Sequence, residues 1–270
     1  MRKTLTILAT ACAALVTTGA FGQSSDEVKK GIEQYREMLQ LGNPAELYAL
    51  KGEELFKKKQ GPKNASLEQC DFGKGPGVLK GVYAEMPRYF ADTGKVQDLE
   101  SRLVTCMVRL QGISEKDATK RPFGNADRPS ENEQLVAYIV SQSDGHPINI
   151  KLDNPKMQEA YEIGKRLFFY RAGPWDFSCA TCHAEEGTRI RLQDLPVLSL
   201  PPGAKVAMTT WPAYRVSNSQ LKTMQWRLND CYRQMRFPEP NFASDSMIAL
   251  TTYLAHTANG GIYAGPGIKR

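Results

Sequence analysis

Apolar side chains recur at helical spacing in two stretches of this chain that each begin at a serine. In residues 130–139 and 244–254 a polar start is followed by apolar residues that include pairs three and four apart, which predicts an amphipathic helix in each stretch. Shorter helices are predicted around residues 52–56 and 164–168. No alternating pattern of useful length predicts a strand, and glycine- and proline-rich loops break the helices. We therefore expect an all-α fold with long irregular connections.

The two halves of the chain repeat one order of features. In each half a glycine-containing helix precedes a cysteine site, an Arg-Leu-x-x-Cys segment follows, and a final helix ends the half. The Arg-Leu-x-x-Cys segments are residues 102–106 and 227–231. A Pro- and Asn-containing stretch at residues 144–154 is the predicted junction. This order predicts two tandem domains, at residues 23–150 and 151–270.

The first 22 residues have the features of a secretory signal peptide. Arg2 and Lys3 precede an apolar run over residues 5–16, and residues 20–22 supply the small side chains that a signal peptidase recognises. The apolar run is too short for a membrane anchor. We expect cleavage after Gly22 and a mature protein that resides in the periplasm without a membrane span.

The charge of the chain excludes one class of function. The 270 residues carry 35 Lys and Arg against 29 Asp and Glu, a formal charge of +6. Loss of the signal peptide removes two basic residues and no acidic ones, which leaves a charge of about +4. Because this charge is mild and forms no clustered basic stripe, the sequence is not typical of a nucleic-acid-binding protein.

The strongest chemical signal is a Cys-x-x-Cys-His motif at Cys179, Cys182 and His183. This spacing is the c-type haem attachment signature. Each thiol adds across a haem vinyl group to form a thioether, and His183 becomes the proximal ligand of the iron. A zinc site is excluded because no second ligand pair follows at suitable spacing. The motif predicts one covalently bound haem c in a cytochrome c-like domain at residues 151–270.

Five cysteines lie beyond the signal peptide, and two of them are assigned to haem. In an oxidising compartment Cys70 and Cys106 are able to pair as a disulfide, and two unrelated free thiols are the alternative. Cys70 aligns with the first haem cysteine, but residues 71–73 do not complete the motif. We therefore expect the first domain, residues 23–150, to be a degenerate cytochrome c-like domain without haem. Cys231 is left as an odd thiol.

The second axial ligand of the iron has two kinds of candidate. Cys231 lies four residues after Arg227, so a helix would place both on one face, where Arg227 could steady a thiolate or an anionic substrate. A methionine would instead raise the redox potential, as in electron carriers. The methionine candidates are Met208, Met224, Met235 and Met247. The residues alone leave this choice open.

A more specific pattern extends over residues 227–236, where Arg-x-x-x-Cys-x-x-Gln-Met-Arg follows the haem motif. Together with the signal peptide and the paired Arg-Leu-x-x-Cys segments, this pattern resembles SoxA, the larger subunit of the SoxAX cytochrome of bacterial thiosulfate oxidation. Many members of that family carry two haems. Because its first motif is broken at Cys70, this chain resembles the single-haem branch.

The resemblance implies a reaction and partners. SoxA-type proteins act with a small cytochrome c, SoxX, as an L-cysteine S-thiosulfotransferase, which joins thiosulfate oxidatively to a carrier cysteine on SoxYZ and passes two electrons to cytochromes. It implies that Cys231 is the axial ligand and the catalytic sulfur, which is modified to a persulfide in family members. Arg227 would bind the thiosulfate anion. Arg236 also matches the motif and is a further candidate for substrate binding.

Other functions compete with this interpretation. The first is an electron-transfer cytochrome c with His/Met ligation and no catalysis. A relative of the di-haem peroxidases is disfavoured, because that class needs two attachment motifs and this chain has one. A scaffold for another redox subunit is the remaining alternative.

Overall fold

The architecture is that of a computed structural model, which describes residues 25–40, 42–120, 130–190 and 193–269. The predicted signal peptide lies outside the described residues. None of the described helices has the length and apolarity needed to cross a bilayer. The helices are α1 (Ser25–Gln40), α2 (Ala45–Lys57), α3 (Leu99–Cys106), α4 (Glu115–Ala118), α5 (Glu131–Ser141), α6 (Pro155–Phe169), α7 (Cys179–His183), α8 (Pro201–Met208), α9 (Met224–Gln234) and α10 (Asp245–Thr257).

Short strands accompany the helices in the described part of the chain, and the all-α prediction did not include them. Two small sheets are antiparallel pairs, β1 with β2 and β3 with β4, while β5 lies between antiparallel β6 and parallel β7. Strands of two or three residues are too short to show an alternating pattern in the sequence. The strands are β1 (Arg88–Phe90), β2 (Lys95–Gln97), β3 (Arg189–Ile190), β4 (Gln193–Asp194), β5 (Ala213–Arg215), β6 (Gln220–Lys222) and β7 (Gly267–Lys269).

Each half of the chain builds its own hydrophobic core on one crossed pair of helices. In the first half α2 packs against α5, and in the second half α6 packs against α10. Side chains buried in the first core include Phe56, Phe72, Leu103, Leu135 and Ile139. Side chains buried in the second core include Phe168, Leu228, Met247, Leu250 and Leu254. The two helix pairs follow the order of elements that the repeat in the sequence predicts.

A glycine allows each helix pair to approach closely. A Cβ added at Gly52 would overlap the carbonyl oxygen of Gln134 in α5, and a Cβ added at Gly164 would overlap that of Ala249 in α10. Because the clash in both cases is with backbone, no rotation of a side chain relieves it. These two glycines are therefore needed for the crossings, which explains why the repeated helices each contain one.

Side-chain caps fix where the paired helices begin. Ser130 and Glu133 form a capping box at α5, in which the Ser130 hydroxyl accepts from the Glu133 N–H (3.1 Å) and the Glu133 carboxylate accepts from the Ser130 N–H (2.9 Å). At α6 the Asn154 side chain accepts from the Lys156 N–H (2.8 Å), and Pro155 occupies the first turn, where no N–H partner is needed.

The C-terminal segment joins the two halves. The Gly145 N–H donates to the Tyr263 carbonyl (2.8 Å), and the Ile148 N–H donates to the Gly261 carbonyl (2.8 Å), so this segment pairs with the predicted junction. The Tyr263 ring is fully buried in the first core although the residue lies far beyond the predicted boundary at residue 150. The second half therefore contributes a side chain to the core of the first.

A buried polar network also connects the halves. Gln225 at the start of α9 donates its side-chain amide to Asp98 (2.6 Å) and its backbone N–H to Glu100 (3.3 Å) at the start of α3. Lys222 pairs with Glu133 (3.1 Å), and both side chains are almost completely buried. Burial, and then the nearby Asp98 carboxyl, raise the pKa of Glu100 well above its usual range.

Replacing Glu100 with glutamine should therefore remove part of the pH dependence of stability. Above about pH 4.3 the unfolded Glu100 ionises while the folded one keeps its proton, so the free energy of unfolding falls as the pH rises. We expect Glu100→Gln to gain about 1–2 kcal/mol relative to wild type between about pH 5 and pH 8. Chemical denaturation of wild type and of Glu100→Gln, at about pH 5 and at about pH 8, measures this difference in the free energy of unfolding. An equal difference at both pH values would contradict it.

Candidate haem site

One cavity of about 390 Å³ brings together the residues that the sequence singles out for chemistry. Its wall includes side chains from α6 to α10, from the segment around Pro196, and from β5 and β7. The predicted site residues on this wall are Cys179, Cys182, His183, Arg227 and Cys231. The haem motif and the Arg-x-x-x-Cys segment are far apart in the sequence, and the packing of α7 and α9 places them on one cavity.

The haem motif forms the short helix α7 because its own residues cap it. The Ser178 hydroxyl accepts from the Thr181 N–H (3.2 Å), and the Thr181 hydroxyl accepts from the Ser178 N–H (2.9 Å). This capping box holds one turn of helix in a segment too short to be stable alone. At a separation of three residues, Cys179 and Cys182 lie on the same face of that turn. Both thiols therefore line the cavity.

His183 is oriented by the loop that follows α7. Its Nδ1 lies 2.9 Å from the carbonyl oxygen of Pro196, and its own carbonyl accepts from the Leu198 N–H (2.8 Å). Since a carbonyl only accepts, Nδ1 carries the proton and the Nε2 lone pair remains for a metal. Burial lowers the pKa of His183. The hydrogen bond to Pro196 partly raises this pKa again, whereas the charge of Arg227 lowers it further. The ring is in the state that binds iron.

Helix α9 places Arg227 and Cys231 one turn apart. It begins at Thr223, whose hydroxyl accepts from the Trp226 N–H (3.2 Å). The segment that contains Arg227 and Cys231 is thus a helix, and both side chains lie on the cavity wall. Burial raises the pKa of Cys231, although the charges of Arg227 and Arg215 lower it. Burial, with a smaller effect of Cys231, raises the pKa of Cys179 to about 12.

Asp230 holds the Arg227 side chain, a contact that our sequence analysis missed. The Arg227 guanidinium donates to Asp230 Oδ2 (2.9 Å), and Arg233 and Gln234 donate to the same carboxylate at 3.0 Å each. Arg227 is about one quarter exposed, so its guanidinium is partly desolvated and has a fixed partner. The three-residue spacing from Arg227 to Asp230 on a helix could have revealed the pair.

The remaining candidates are distributed inside and outside the cavity. Met208, Met224 and Met235 also line it, whereas Met247 is completely buried in the second core. Arg236 is exposed and lies outside the set of lining residues, with its guanidinium 5.6 Å from the centre of the Trp175 ring. A direct substrate role for Arg236 therefore gains no support from its position and stays a prediction.

The residues of the cavity fit a covalently bound haem c. The thiols of Cys179 and Cys182 lie on α7 together with the His183 imidazole, whose Nε2 is free. The Cys231 thiol lies on α9. A flat apolar ring needs apolar walls, which the second core supplies. These walls include Phe168, Leu198, Trp211, Leu228, Leu250 and Leu254.

The first half contains the Cys70–Cys106 disulfide, with the two Cα atoms 5.7 Å apart. Both cysteines are buried in the first core, and Phe72 beside Cys70 is completely buried there as well. Within the described residues the cysteines outside a disulfide are Cys179, Cys182 and Cys231. Cys70 is thus committed to a bond that prevents it from forming a thioether.

Comparisons with known proteins show which family the chain resembles. A family model described as "SoxA/TsdA, cytochrome c domain" matches residues 51–148. The L-cysteine S-thiosulfotransferase subunit SoxA of Hydrogenophilus thermoluteolus is 54% identical, and the match covers 100% of both chains. A subunit of the same name from Hydrogenobacter thermophilus is 39% identical over 91% of this chain and 89% of that protein. The crystal structure of SoxXA from P. pantotrophus matches with a TM-score of 0.72 and 27% identity, covering 88% of this chain and 84% of the other.

Proposed function

This chain belongs to the SoxA family, and from that membership we propose that it is the haem subunit of an L-cysteine S-thiosulfotransferase. Its substrates would be thiosulfate and a cysteine of the SoxYZ carrier, and its partner a small cytochrome of the SoxX type. The structural match to SoxXA supports that partner. The signal peptide read from the sequence supports a periplasmic location.

Four side chains of the cavity would hold one haem c. Cys179 and Cys182 would form its thioethers, and His183, through Nε2, and Cys231, from α9, would bind the iron. When bound, the haem supplies a one-electron redox centre next to these residues. The apolar side chains of the cavity would keep water away from the metal, and the Pro196 carbonyl holds the His183 ring in one orientation.

The overall reaction forms one sulfur–sulfur bond. The thiol of the carrier cysteine and the terminal sulfur of thiosulfate join, the thiol proton goes to solvent, and two electrons pass to cytochromes. The product is a carrier cysteine with a thiosulfonate group, and the negative charge of the anion falls by one unit as the bond forms. The enzyme must therefore bind a dianion and release a carrier that holds a monoanion.

The presence of Arg227 and Cys231 on the same cavity as His183 is the observation that carries this proposal. Arg227 offers planar, paired donors for the oxygens of thiosulfate, and Asp230 holds the guanidinium in place. Cys231, one turn further along α9, is positioned to meet the terminal sulfur of the same anion. We propose Cys231 as the catalytic sulfur and Arg227 as the substrate-binding residue.

An electron-transfer cytochrome is the second candidate, and one observation favours it. Met208, Met224 and Met235 lie on the cavity wall together with Cys231, so each is available as a ligand. Methionine ligation would give a high redox potential and a sulfur–iron charge-transfer band, whereas Cys231 ligation would give a thiolate-type spectrum and a low potential.

Mass spectrometry of the purified mature chain, combined with its optical spectrum, tests the proposal. The mass should equal that of residues 23–270 with one haem and one disulfide, plus one sulfur atom if Cys231 carries a persulfide. The spectrum should be of the thiolate type. A methionine-type spectrum together with an absence of thiosulfate-dependent cytochrome reduction would exclude the transferase.

Replacing Arg227 with alanine should lower kcat/KM for thiosulfate about 100-fold, because a charged donor to the anion is lost. Arg233→Ala is the matched control, since Arg233 binds the same Asp230 carboxylate from the same helix but lies outside the cavity wall. The control should stay within about twofold of wild type. Full activity of Arg227→Ala, with the haem spectrum unchanged, would remove Arg227 from the mechanism.

A further inference from the structure

A second pair of basic residues faces the cavity from the small sheet of the second half. In the parallel pairing of β5 with β7, Arg215 lies directly beside Lys269. Side chains of adjacent residues on neighbouring strands point to the same face of a sheet. Both Arg215 and Lys269 line the cavity that contains Cys231. Arg215 and Lys269, two cations on strands, therefore line the same cavity as Arg227 of α9.

The position of Arg215 is fixed by its backbone. The residue pairs with Gln220 on β6 and with Lys269 on β7, so β5 is bounded on both sides. Ala213 of β5 and Ile268 of β7 are buried, which fixes the sheet against the protein. The strand pairing therefore sets the point from which the Arg215 side chain extends to the cavity wall.

The charges on the cavity wall favour an anion. Among the described lining residues, the cations are Lys29, Arg215, Arg227 and Lys269, against the carboxylates Glu33 and Asp194. Asp194 already pairs with Lys29 at 3.1 Å. The wall therefore carries more cationic than anionic side chains, which favours an anionic ligand.

We infer that Arg215, with Lys269 beside it, is a second substrate-binding element that holds the sulfonate oxygens of a thiosulfate dianion against α9. This inference rests on the proposed function, which supplies the substrate. Thiosulfate has oxygens at one end and a reactive sulfur at the other, so donors from β5 and from α9 would together hold the oxygens. The terminal sulfur is then left to face Cys231. Anions without several oxygens on one sulfur would gain less from Arg215.

The test compares steady-state kinetics of the holoprotein in complex with its cytochrome partner. Arg215→Gln should raise KM for thiosulfate about tenfold and leave kcat within about twofold, because binding is lost and the sulfur chemistry is not. Arg171→Gln is the matched control, since Arg171 is an exposed arginine that pairs with Asp176 outside the cavity wall. Its KM should equal that of wild type.

Calorimetric titration with sulfate separates the failure of this inference from failure of the proposed function. Sulfate is a dianion with the same oxygens, and it should bind the Arg215→Gln holoprotein about tenfold more weakly than wild type. If wild type fails to use thiosulfate but this difference persists, the proposed function fails and the anion site stands. If wild type uses thiosulfate while Arg215→Gln keeps the same KM and the same sulfate affinity, the inference is overturned.

A second variant protects the test against a folding defect. Lys269 lies on the outer strand β7, so Lys269→Gln disturbs the sheet less than a change in the central strand β5. It should raise KM about threefold, and the denaturation midpoint should stay that of wild type. If Arg215→Gln is misfolded and Lys269→Gln keeps the wild-type KM and sulfate affinity, the inference is likewise overturned.

Discussion

Replacing Cys231 with methionine should abolish thiosulfate conjugation while the haem stays covalently attached. Methionine is larger than cysteine and offers a thioether sulfur to iron, but it has no thiol to react. Because the nucleophilic sulfur is lost outright, we expect the rate to fall by at least about 1,000-fold. Thiosulfate-dependent cytochrome reduction measures the rate, and mass spectrometry shows the haem that Cys179 and Cys182 retain.

Met235→Leu is the matched control for this variant. Met235 lies one helical turn beyond Cys231 and lines the same cavity, and leucine replaces methionine in cores at small cost. If Cys231 is the axial ligand, the control keeps both its activity and its thiolate-type spectrum. If instead Met235→Leu loses its ligand band while Cys231→Met keeps the wild-type spectrum, Met235 is the axial ligand and the chain is an electron carrier.

Replacing Gly164 with alanine should separate the two helices that form the second core. The added Cβ would overlap the Ala249 carbonyl oxygen and lie 3.0 Å from Cβ of Tyr253, so α6 has to move away from α10. Leu250 and Leu254 of α10 line the cavity, and the movement should therefore loosen the haem site as well. We expect the free energy of unfolding to fall by about 3 kcal/mol or more.

Chemical denaturation followed by helix content and by haem absorption measures this effect. Gly31→Ala in α1 is the control, because a Cβ there has no heavy atom within 4 Å and alanine favours a helix over glycine. That variant should be unchanged or gain about 0.5–1 kcal/mol. Gly52→Ala should destabilise the first core with less effect on haem absorption. If Gly164→Ala and Gly31→Ala were equally stable, Gly164 would not be needed for the close approach of α6 to α10.

Much of the candidate site could be predicted because its chemistry is local in sequence. Cys179, Cys182 and His183 act within one helical turn, so their spacing alone indicates haem attachment. Arg227 and Cys231 are also one turn apart, and helical periodicity places them on one face. The resemblance to SoxA, carried by the same residues, is confirmed by the relatives that match over most or all of the chain.

Other features depend on partners that are distant in the sequence. The short strands escaped prediction, and with them the pairing of Arg215 with Lys269, because no pattern within three residues specifies a neighbouring strand. The buried position of Glu100 was missed for a similar reason. Its carboxyl is covered by the start of α9, which belongs to the other half of the chain.

The sequence by itself predicted a haem attachment motif and determined the family and the main helices of each half. It could do so because thioether spacing and helical periodicity are short-range properties of the chain. The tertiary structure alone decided that α7 and α9 share a cavity, that β5 and β7 bring further cations to it, and that Tyr263 crosses into the first core. These features arise from burial and strand pairing between distant segments, whose free energy depends on the whole folded chain.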